Sequence, residues 1–347
     1  MVLVARNIPA DKYELHLVLI TQAEAEEALP SWVTVHALGA SRVRAGAWAL
    51  LRLVRRLKPD LILSGIFHSN FLVLLLRPFF PSGSRVIVRQ NGTVSAALDF
   101  GGLPWYTRTL YRLLYRRADR VICQTRAMAD DIARELGVAD ARLVVLPNPV
   151  DVEEIRRSPD RNEALPAYSG SRLLAVGRLS REKGFDLLLR AMVLVRKEYP
   201  SADLLIAGSG PEEAALKVEC HEFGLDEAVR FVGHVANPWS CFSKVALYVL
   251  PSRHEGLPNA LLEAAAAGLP IVALPACDGL VDLLRGQPGV WLAPEVSAEA
   301  LAASLLTALG ALRPGERYPH AFVDAFRIDR AIQAYESLID QCLSEMP

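Results

Sequence analysis

The sequence predicts an α/β protein made of two domains, each a parallel sheet covered by helices. Its 347 residues are too many for one ordinary hydrophobic core and suit two domains of roughly 150 to 200 residues each. Short apolar segments alternate with segments of helical periodicity along the chain, which is typical of strand–helix–strand units. A hydrophobic fraction of 52% beside a charged fraction of 22% indicates a well-buried globular chain.

The cysteines indicate the cellular compartment, and the charge distribution indicates the kind of partner. The five cysteines are scattered, odd in number and without metal-ligand spacing, which predicts reduced thiols in a cytoplasmic protein. Residues 1–150 carry 19 Lys and Arg against 12 Asp and Glu, a net +7, whereas residues 151–347 carry 19 against 27, a net −8. Either the basic half meets an anionic partner such as membrane headgroups or a lipid diphosphate, or the imbalance arises by chance. No apolar run reaches the ~20 residues of a membrane span, and no signal peptide is expected.

The first half is predicted to alternate strands and helices, because apolar runs are bounded there by turn residues. The predicted strands are Glu14–Ile20, Thr34–Leu38, Leu61–Ser64, Arg85–Arg89, Arg120–Gln124 and Leu143–Leu146. The predicted helices are Val2–Asn7, Ala45–Leu57, Trp105–Arg120 and Ala127–Leu136, with a further helix opened by a loop that contains His68. A polar linker is predicted over Glu153–Ser171.

Two features of this half have open interpretations. His68 follows a predicted strand, at the edge where parallel sheets present their ligand-binding loops, so it is either a site residue or a surface or capping histidine. The segment Trp105–Arg120 is basic and aromatic at helical spacing. It either lies on an anionic membrane surface or packs on the core with solvated arginines.

The second half shows the same alternation. Its predicted strands are Arg172–Val176, Asp203–Ala207, Val229–Val232, Ala246–Leu250, Ile271–Leu274 and Val290–Leu292. Its predicted helices include Glu212–Phe223, Ala298–Leu309 and a last helix from Arg330 to Leu343. Gly208-Ser-Gly210 lacks the third glycine of a dinucleotide-binding fingerprint, so it is weak evidence for one.

Two carboxylates stand out after the fourth of these strands, Glu255 in a turn and Glu263 eight residues later in an Ala/Leu-rich helix. Pro258 is predicted in the first helical turn, whose N–H groups have no partner within the helix. Those donors and the positive end of the helix dipole form a natural cradle for a phosphate or diphosphate. The alternative is an ordinary amphipathic helix with solvated carboxylates.

Glu255-Gly-Leu-Pro-Asn-Ala-Leu-Leu-Glu263, followed by Gly268-Leu-Pro270, resembles the Glu-x7-Glu signature of the retaining nucleotide-sugar glycosyltransferases of family 4. The turn Gly177–Gly184 is similar to that family's Gly-Arg-x4-Lys-Gly loop, and Pro147–Asp151 resembles its Pro-Asn-Gly-Val-Asp, with Pro149 in place of Gly. The resemblance implies the GT-B fold, in which two Rossmann-like α/β/α domains face a central cleft.

The resemblance also implies a role for each matching residue. Arg178 and Lys183 would neutralise the donor diphosphate, because breaking the sugar–phosphate bond places negative charge on the leaving phosphate. Glu255 would orient the donor sugar and Glu263 would hold the ribose. The catalytic candidates are therefore Glu255, Arg178, Lys183 and His68. The donor-binding candidates are Gly177, Arg178, Lys183, Gly233, His234, Val235, Glu255, Gly256, Leu257, Pro258, Asn259 and Glu263.

The implied function is retaining transfer of a hexose from a nucleotide diphosphate sugar, UDP- or GDP-linked, to a glycan or lipid-linked acceptor in polysaccharide or glycolipid biosynthesis. No metal, other cofactor or nucleic acid is expected. The enzyme would be cytoplasmic and peripheral at the inner face of the cell membrane. The alternatives are a non-catalytic or truncated nucleotide-sugar binding protein and a GT-B nucleotide-sugar epimerase.

Domain boundaries follow from the same comparison. Family 4 enzymes usually open with a strand and a Gly-rich loop, and the first domain, residues 1–152, is expected to lack both because residues 2–7 already form a helix. The donor-binding domain is expected over residues 171–315. Residues 316–347 are expected to form helices, the last of which crosses back to the first domain.

Overall fold

A computed structural model describes residues 2–21, 29–95, 106–157, 171–235, 237–313 and 315–345. The chain divides into two compact units. The first consists of Met1–Pro149 with Ile328–Pro347, and the second of Val150–Arg327. Each is a Rossmann-like α/β unit with parallel sheets, so the predicted fold class is confirmed.

The described part of the first unit contains two parallel sheets. One pairs β1 (His16–Thr21) with β2 (Thr34–Ala40). The other is four-stranded, in the order β3 (Leu61–Ser64), β4 (Arg85–Arg89), β5 (Arg120–Cys123) and β6 (Leu143–Val145). The helices of this unit are α1 (Val2–Asn7), α2 (Ala47–Leu57), α3 (Phe67–Leu76), α4 (Tyr106–Tyr115), α5 (Arg126–Leu136) and α12 (Ile328–Ser344).

The four-stranded sheet is buried on both faces, because alternate side chains of a strand point to opposite sides. Val86 and Val88 of β4 face a core that includes Leu74 and Leu114, whereas Ile87 between them faces a second core. That second core is completed by α12, which contributes Ile332, Tyr335, Leu338 and Cys342. The last helix therefore belongs to the first unit.

Two expectations for this unit need correction. The predicted helix Trp105–Arg120 ends at Tyr115, and Trp105 itself lies outside the described residues. The helix ends because Asp119 turns into the sheet, where its carboxylate accepts the Val86 N–H at 2.7 Å. His68 lies in the first turn of α3 rather than in a loop before it.

The second unit is built on one six-stranded parallel sheet in the order β12-β11-β10-β7-β8-β9. Its strands are β7 (Arg172–Val176), β8 (Asp203–Ala207), β9 (Val229–Gly233), β10 (Leu247–Leu250), β11 (Ile271–Ala273) and β12 (Val290–Leu292). Its helices are α6 (Val152–Arg157), α7 (Phe185–Glu198), α8 (Glu213–Glu222), α9 (Asn259–Ala266), α10 (Asp278–Leu284) and α11 (Ala298–Ala311).

The order of these strands sets the position of the site. The chain moves from β7 outward through β8 to β9 and then returns to the opposite side of β7 with β10. The direction of winding therefore reverses between β7 and β10. In open α/β sheets, ligands bind outside the carboxyl ends of the strands at such a switch point.

The boundaries between segments also differ from those predicted. The first residues of the expected linker form α6, because Val152 and Ile155 are three residues apart and both are buried in the core of the second unit. Residues 158–170 of that linker lie outside the described part of the chain. Within the expected segment 316–347, the 3-10 turn Ala321–Phe326 packs into the second unit through Val323 and Phe326.

Two further observations concern the whole of the described chain. None of its described helices combines the length and hydropathy needed to span a bilayer. All five cysteines are free thiols.

Candidate active site

Three consecutive strands of the second unit end in loops that are joined by backbone hydrogen bonds. Gly177 N–H, after β7, donates to the carbonyl of Ala207 at 2.9 Å, and Gly208 N–H, after β8, donates to the carbonyl of Gly233 at 2.7 Å. Leu179 N–H donates to the carbonyl of Ser209 at 3.0 Å. The carboxyl ends of β7, β8 and β9 are therefore held at one level, and the polar residues that follow them share one edge of the sheet.

A glycine is required at the centre of this junction. Gly208 has φ of +147°, and a Cβ built on it would lie 1.8 Å from the carbonyl oxygen of Gly177. Any side chain would therefore push apart the two loops that it joins. The Gly208-Ser-Gly210 segment thus has a packing role, which agrees with its weakness as a dinucleotide fingerprint.

The loops after β7 and β10 meet in an ion pair. Lys183 Nζ lies 2.6 Å from Glu255 Oε1, and the Ser252 hydroxyl donates to the same oxygen at 2.7 Å. The Glu255 side chain is 8% exposed and the Lys183 side chain 26%. A buried carboxylate thus has a cation and a hydroxyl donor at one oxygen, which fixes its orientation at the switch point.

A second ion pair anchors the same two loops. Arg253 binds Asp186 through two hydrogen bonds, each of 2.6 Å, and donates to the carbonyl of Arg181 at 3.0 Å. The Asp186 carboxylate belongs to the first turn of α7, so the bidentate pair ties the loop after β10 to that helix. Gly184, the N-cap residue of α7, has φ of +66°, and a Cβ built on it would lie 2.0 Å from the Pro251 carbonyl oxygen, so glycine is required there.

The helix α9 begins one residue later than predicted. Pro258 is its N-cap residue, with extended dihedral angles of −76° and 115°, and Asn259 is the first helical residue. Proline is compatible with this position because its missing N–H is not needed by the helix. The N–H groups of the first turn of α9 point away from the helix, where they have no intrahelical acceptors. The positive end of the helix dipole thus faces the carboxyl edge of the sheet.

Glu263 is the unusual charge of α9. Its neighbours Leu262 and Ala264 are fully buried, and burial raises the pKa of its carboxyl to about 7. Tyr248, in β10, has a fully buried hydroxyl without a hydrogen-bond partner among the described residues. Burial, and then the charges of Glu255 and Glu263, raise the pKa of Tyr248 well above its ordinary value. The buried floor of the site therefore disfavours further negative charge.

The remaining candidates differ in exposure. Arg178 is exposed and forms no ion pair with any described carboxylate, so its guanidinium can reach a ligand. Gly233, with φ of +73°, turns the chain after β9 and leaves His234 exposed. Val235 is half-buried, and the Gly256 carbonyl accepts a hydrogen bond from the Cys277 thiol at 3.6 Å. His68 belongs to the first unit, where its side chain is exposed.

The site therefore combines several positive groups at one sheet edge. An exposed guanidinium, an ammonium held by a carboxylate and the start of a helix converge on the switch point between β7 and β10. This arrangement can bind an anion such as a diphosphate and stabilise charge that develops on it. Within the described ranges, no cluster of three His, Cys, Asp or Glu side chains has a geometry that could hold a metal ion.

Sequence reasoning missed the residues that position these groups. Ser252, Arg253 and Asp186 orient Glu255 and the loops around it, yet none of them belongs to the recognised motifs. Asp186 pairs with Arg253, and Glu255 pairs with Lys183. In each pair the two residues are distant in sequence, so the spacing within a motif does not predict the pairing. The only signal available was the polar Ser252-Arg253 pair, which His254 separates from Glu255.

Comparison with known proteins gives two matching family models. The model described as "Glycosyltransferase Family 4" matches residues 1–154, and the one described as "Glycosyl transferases group 1" matches residues 170–311. Together they account for most of the chain, with their junction close to the boundary between the two structural units.

Curated relatives extend this result. A glycogen synthase of Mycobacterium tuberculosis is 30% identical over 277 residues, which cover 77% of this chain and 64% of the relative. The N-acetylgalactosamine-N,N'-diacetylbacillosaminyl-diphospho-undecaprenol 4-alpha-N-acetylgalactosaminyltransferase of Campylobacter jejuni is 25% identical over 83% of this chain and 80% of its own length. For three of the first curated relatives, the chain spans 38% to 64% of the relative's length.

Solved structures agree on the fold. Anabaena HepE in complex with UDP and glucose superposes with a TM-score of 0.83 at 16% identity, covering 98% of this chain and 94% of HepE. At that identity the likeness shows the fold alone, which is the GT-B fold. The matching family models, the relatives and the fold agree with the motifs at the sheet edge, and the chain belongs to the family 4 glycosyltransferases.

Proposed function

We propose that this chain is a retaining hexosyltransferase that takes a sugar from a UDP- or GDP-linked donor and passes it to a glycan or lipid-linked acceptor. The observation that carries the proposal is the Lys183–Glu255 ion pair at the switch point, beside the exposed Arg178 and the start of α9. HepE, which shares the fold, was solved with UDP and glucose. The acceptor class is supported by the glycogen synthase and diphospho-undecaprenol relatives.

In this proposal the protein acts mainly on the leaving group. Cleavage of the sugar–phosphate bond moves negative charge to the diphosphate, which Arg178, Lys183 and the backbone N–H groups of Leu257 and Asn259, on either side of Pro258, would stabilise. Glu255 would orient the hexose, Glu263 would bind the ribose hydroxyls, and Gly233–Val235 would border the base. His68 of the first unit would contact the donor sugar or the acceptor. These cations take the part that a metal ion plays elsewhere.

Donor binding tests the assignment of the site. We expect Arg178→Ala and Glu263→Ala each to weaken binding of the true donor nucleotide by about 10- to 100-fold, because losing a charge-assisted hydrogen bond costs ~1.5 to 3 kcal/mol. Calorimetric titration with UDP and GDP measures the effect and identifies the base.

Arg230→Ala is a charge-matched control for Arg178→Ala, because Arg230 is exposed near the amino end of β9, at the opposite edge of the sheet. The Arg230→Ala variant should bind the nucleotide with the same affinity as the unaltered protein. Unchanged affinity in both site variants would contradict the assignment. Donor binding without turnover would favour a non-catalytic binding protein, and release of an altered sugar without an acceptor would favour an epimerase.

We also propose that the first unit makes peripheral contact with the inner face of the cell membrane. Its residues 1–149 and 328–347 together carry 20 Lys and Arg against 16 Asp and Glu, a net +4, and Leu113 of α4 is 56% exposed beside the exposed Arg116. Arg108 and Arg112 are less available, since both bind Glu135 of α5. An apolar side chain among arginines is the composition of a helix that lies on an anionic surface.

Vesicle flotation tests this contact. Recovery with anionic vesicles is expected to exceed recovery with neutral vesicles and to fall with added salt, because headgroup attraction fades within a Debye length. Leu113→Ser with Arg116→Ser should weaken binding at least about fivefold, since one arginine near such a surface contributes ~1 kcal/mol. Val218→Ser with Arg230→Ser, an equally exposed pair of the second unit, is the control. Equal recovery for both variant pairs would contradict the proposal.

A further inference from the structure

The first unit contains a second basic site, at the edge of its sheet opposite the carboxyl ends of the strands. A cavity of about 540 Å³ opens where β4 and β5 begin, at Arg85 and Arg120. The residues that directly follow α3, α4 and α12 form its walls. It is separate from the candidate donor site, whose motifs all belong to the second unit.

The lining of this cavity is mostly arginine. Six arginines line it, Arg77, Arg85, Arg116, Arg117, Arg120 and Arg142. Only two carboxylates are present in the lining, Asp119 and Glu345. Six positive charges against two negative charges leave a formal charge of +4 in a space large enough for a small organic ligand.

Internal ion pairs use only half of these arginines. Asp119 binds Arg77 at 2.7 Å and Arg85 at 3.3 Å, and Glu345 binds Arg120 at 2.5 Å. The remaining three arginines are exposed and have no carboxylate partner among the described residues.

Their hydrogen bonds leave most of their donors unused. Arg117 donates to the Leu74 carbonyl at 3.4 Å and Arg142 to the Arg116 carbonyl at 2.8 Å. Each guanidinium has five N–H donors in a planar fork. In addition, Nη1 of Arg77 is buried and has no acceptor within the described part of the chain. A buried, unsatisfied donor in the same lining as three guanidinium groups that bind no described carboxylate indicates a site that is complete only with an anion.

We propose that this cavity binds a phosphate-bearing anion, either a phosphomonoester or a diphosphate group. Arginine forks match the geometry of phosphate oxygens, and several of them around one cavity provide both charge and orientation. The anion would lie between the exposed Arg117 and Arg142 and accept the unused donors of Arg77. Such a group is carried by phospholipid headgroups and by free phosphate compounds, and both sources are compatible with the chemistry of the lining.

Calorimetric titration with inorganic pyrophosphate tests the site itself. The pair Arg117→Ser with Arg142→Ser is expected to lose one saturable pyrophosphate site, or to bind it at least tenfold more weakly. Arg42→Ser with Arg44→Ser removes the same charge from exposed positions of the same unit and should keep that site. Arg178→Ala should also keep it, which distinguishes the cavity from the proposed donor site even if the donor assignment fails.

Vesicle flotation distinguishes the two sources of the anion. If the ligand is a headgroup, the Arg117/Arg142 pair will lose binding to vesicles that contain phosphatidic acid, whereas the Arg42/Arg44 pair will not. If the ligand is a free anion, only the pyrophosphate titration will separate the two pairs. Thermal unfolding of every variant establishes that it is folded. Identical behaviour of the two pairs towards both probes would overturn the proposal.

Discussion

Replacing Lys183 by alanine is expected to lower kcat/KM for glycosyl transfer by about 10²- to 10³-fold. Removing one preorganised donor from the place where negative charge develops costs about 10²- to 10³-fold in kcat in a serine hydrolase. The same change should lower the free energy of unfolding by about 3 kcal/mol, because it leaves the 8% exposed Glu255 carboxylate without its cation. Initial rates and denaturant unfolding measure the two effects separately.

The ion pair between Lys217 and Glu213 provides the control. Its length is 2.7 Å, close to the 2.6 Å of the Lys183 pair, but its side chains are 54% and 33% exposed. Lys217→Ala should therefore lower the free energy of unfolding by about 0.5 kcal/mol or less. The double variant Lys183→Ala with Glu255→Ala should regain much of the stability but none of the activity. Strictly additive losses of stability would show that the two side chains do not interact.

Glu263→Gln is expected to change stability in a pH-dependent way. The carboxyl has a pKa of about 7 when folded, against an ordinary value of 4.5. The folded protein therefore binds more protons than the unfolded chain between these values, and its free energy of unfolding falls as pH rises from 4.5 to 7. Glutamine does not ionise, so the Glu263→Gln variant does not lose stability in this pH range. The free energy of unfolding of the variant, taken relative to that of the unaltered protein, should therefore rise by up to about 3 kcal/mol as pH increases to 8, at ~1.4 kcal/mol per pKa unit.

Denaturant unfolding at pH 5 and pH 8 measures this difference. Glu212→Gln is the matched control, because Glu212 is exposed at the start of α8 in the same unit, and its difference from the unaltered protein should not change with pH. A Glu263→Gln difference that is equal at both pH values would contradict the raised pKa. Protonation of Glu263 near neutral pH would also make the proposed binding of the ribose hydroxyls dependent on pH.

Most strands lie within two residues of their predicted bounds, because a buried parallel strand is a short apolar run between turn residues. Helix ends were harder to predict. Helical spacing continues through Arg117, yet α4 stops at Tyr115, since Asp119 finds partners in β4 and at the end of α3. Such partners are distant in sequence, so no local pattern contains them.

The candidate site likewise has features that local sequence patterns predict and features that they do not. Its motifs were visible because each combines a turn, a charge and a helix start within about ten residues. The Lys183–Glu255 pair was not visible, because it depends on β10 returning beside β7. The raised pKa of Glu263 likewise follows from burial of its own carboxyl, which the Ala/Leu composition of α9 suggested but could not quantify.

The position of α12 has a consequence for biosynthesis. The first unit needs this helix to cover Ile87 and Ile122, but the ribosome makes α12 only after the whole second unit. At about 5 to 20 residues per second, translation of residues 150–327 takes on the order of ten seconds or more. During that interval the second unit can fold, while one apolar sheet face of the first remains open to solvent. Nascent chains of this protein are therefore expected to depend on chaperones until translation is nearly finished.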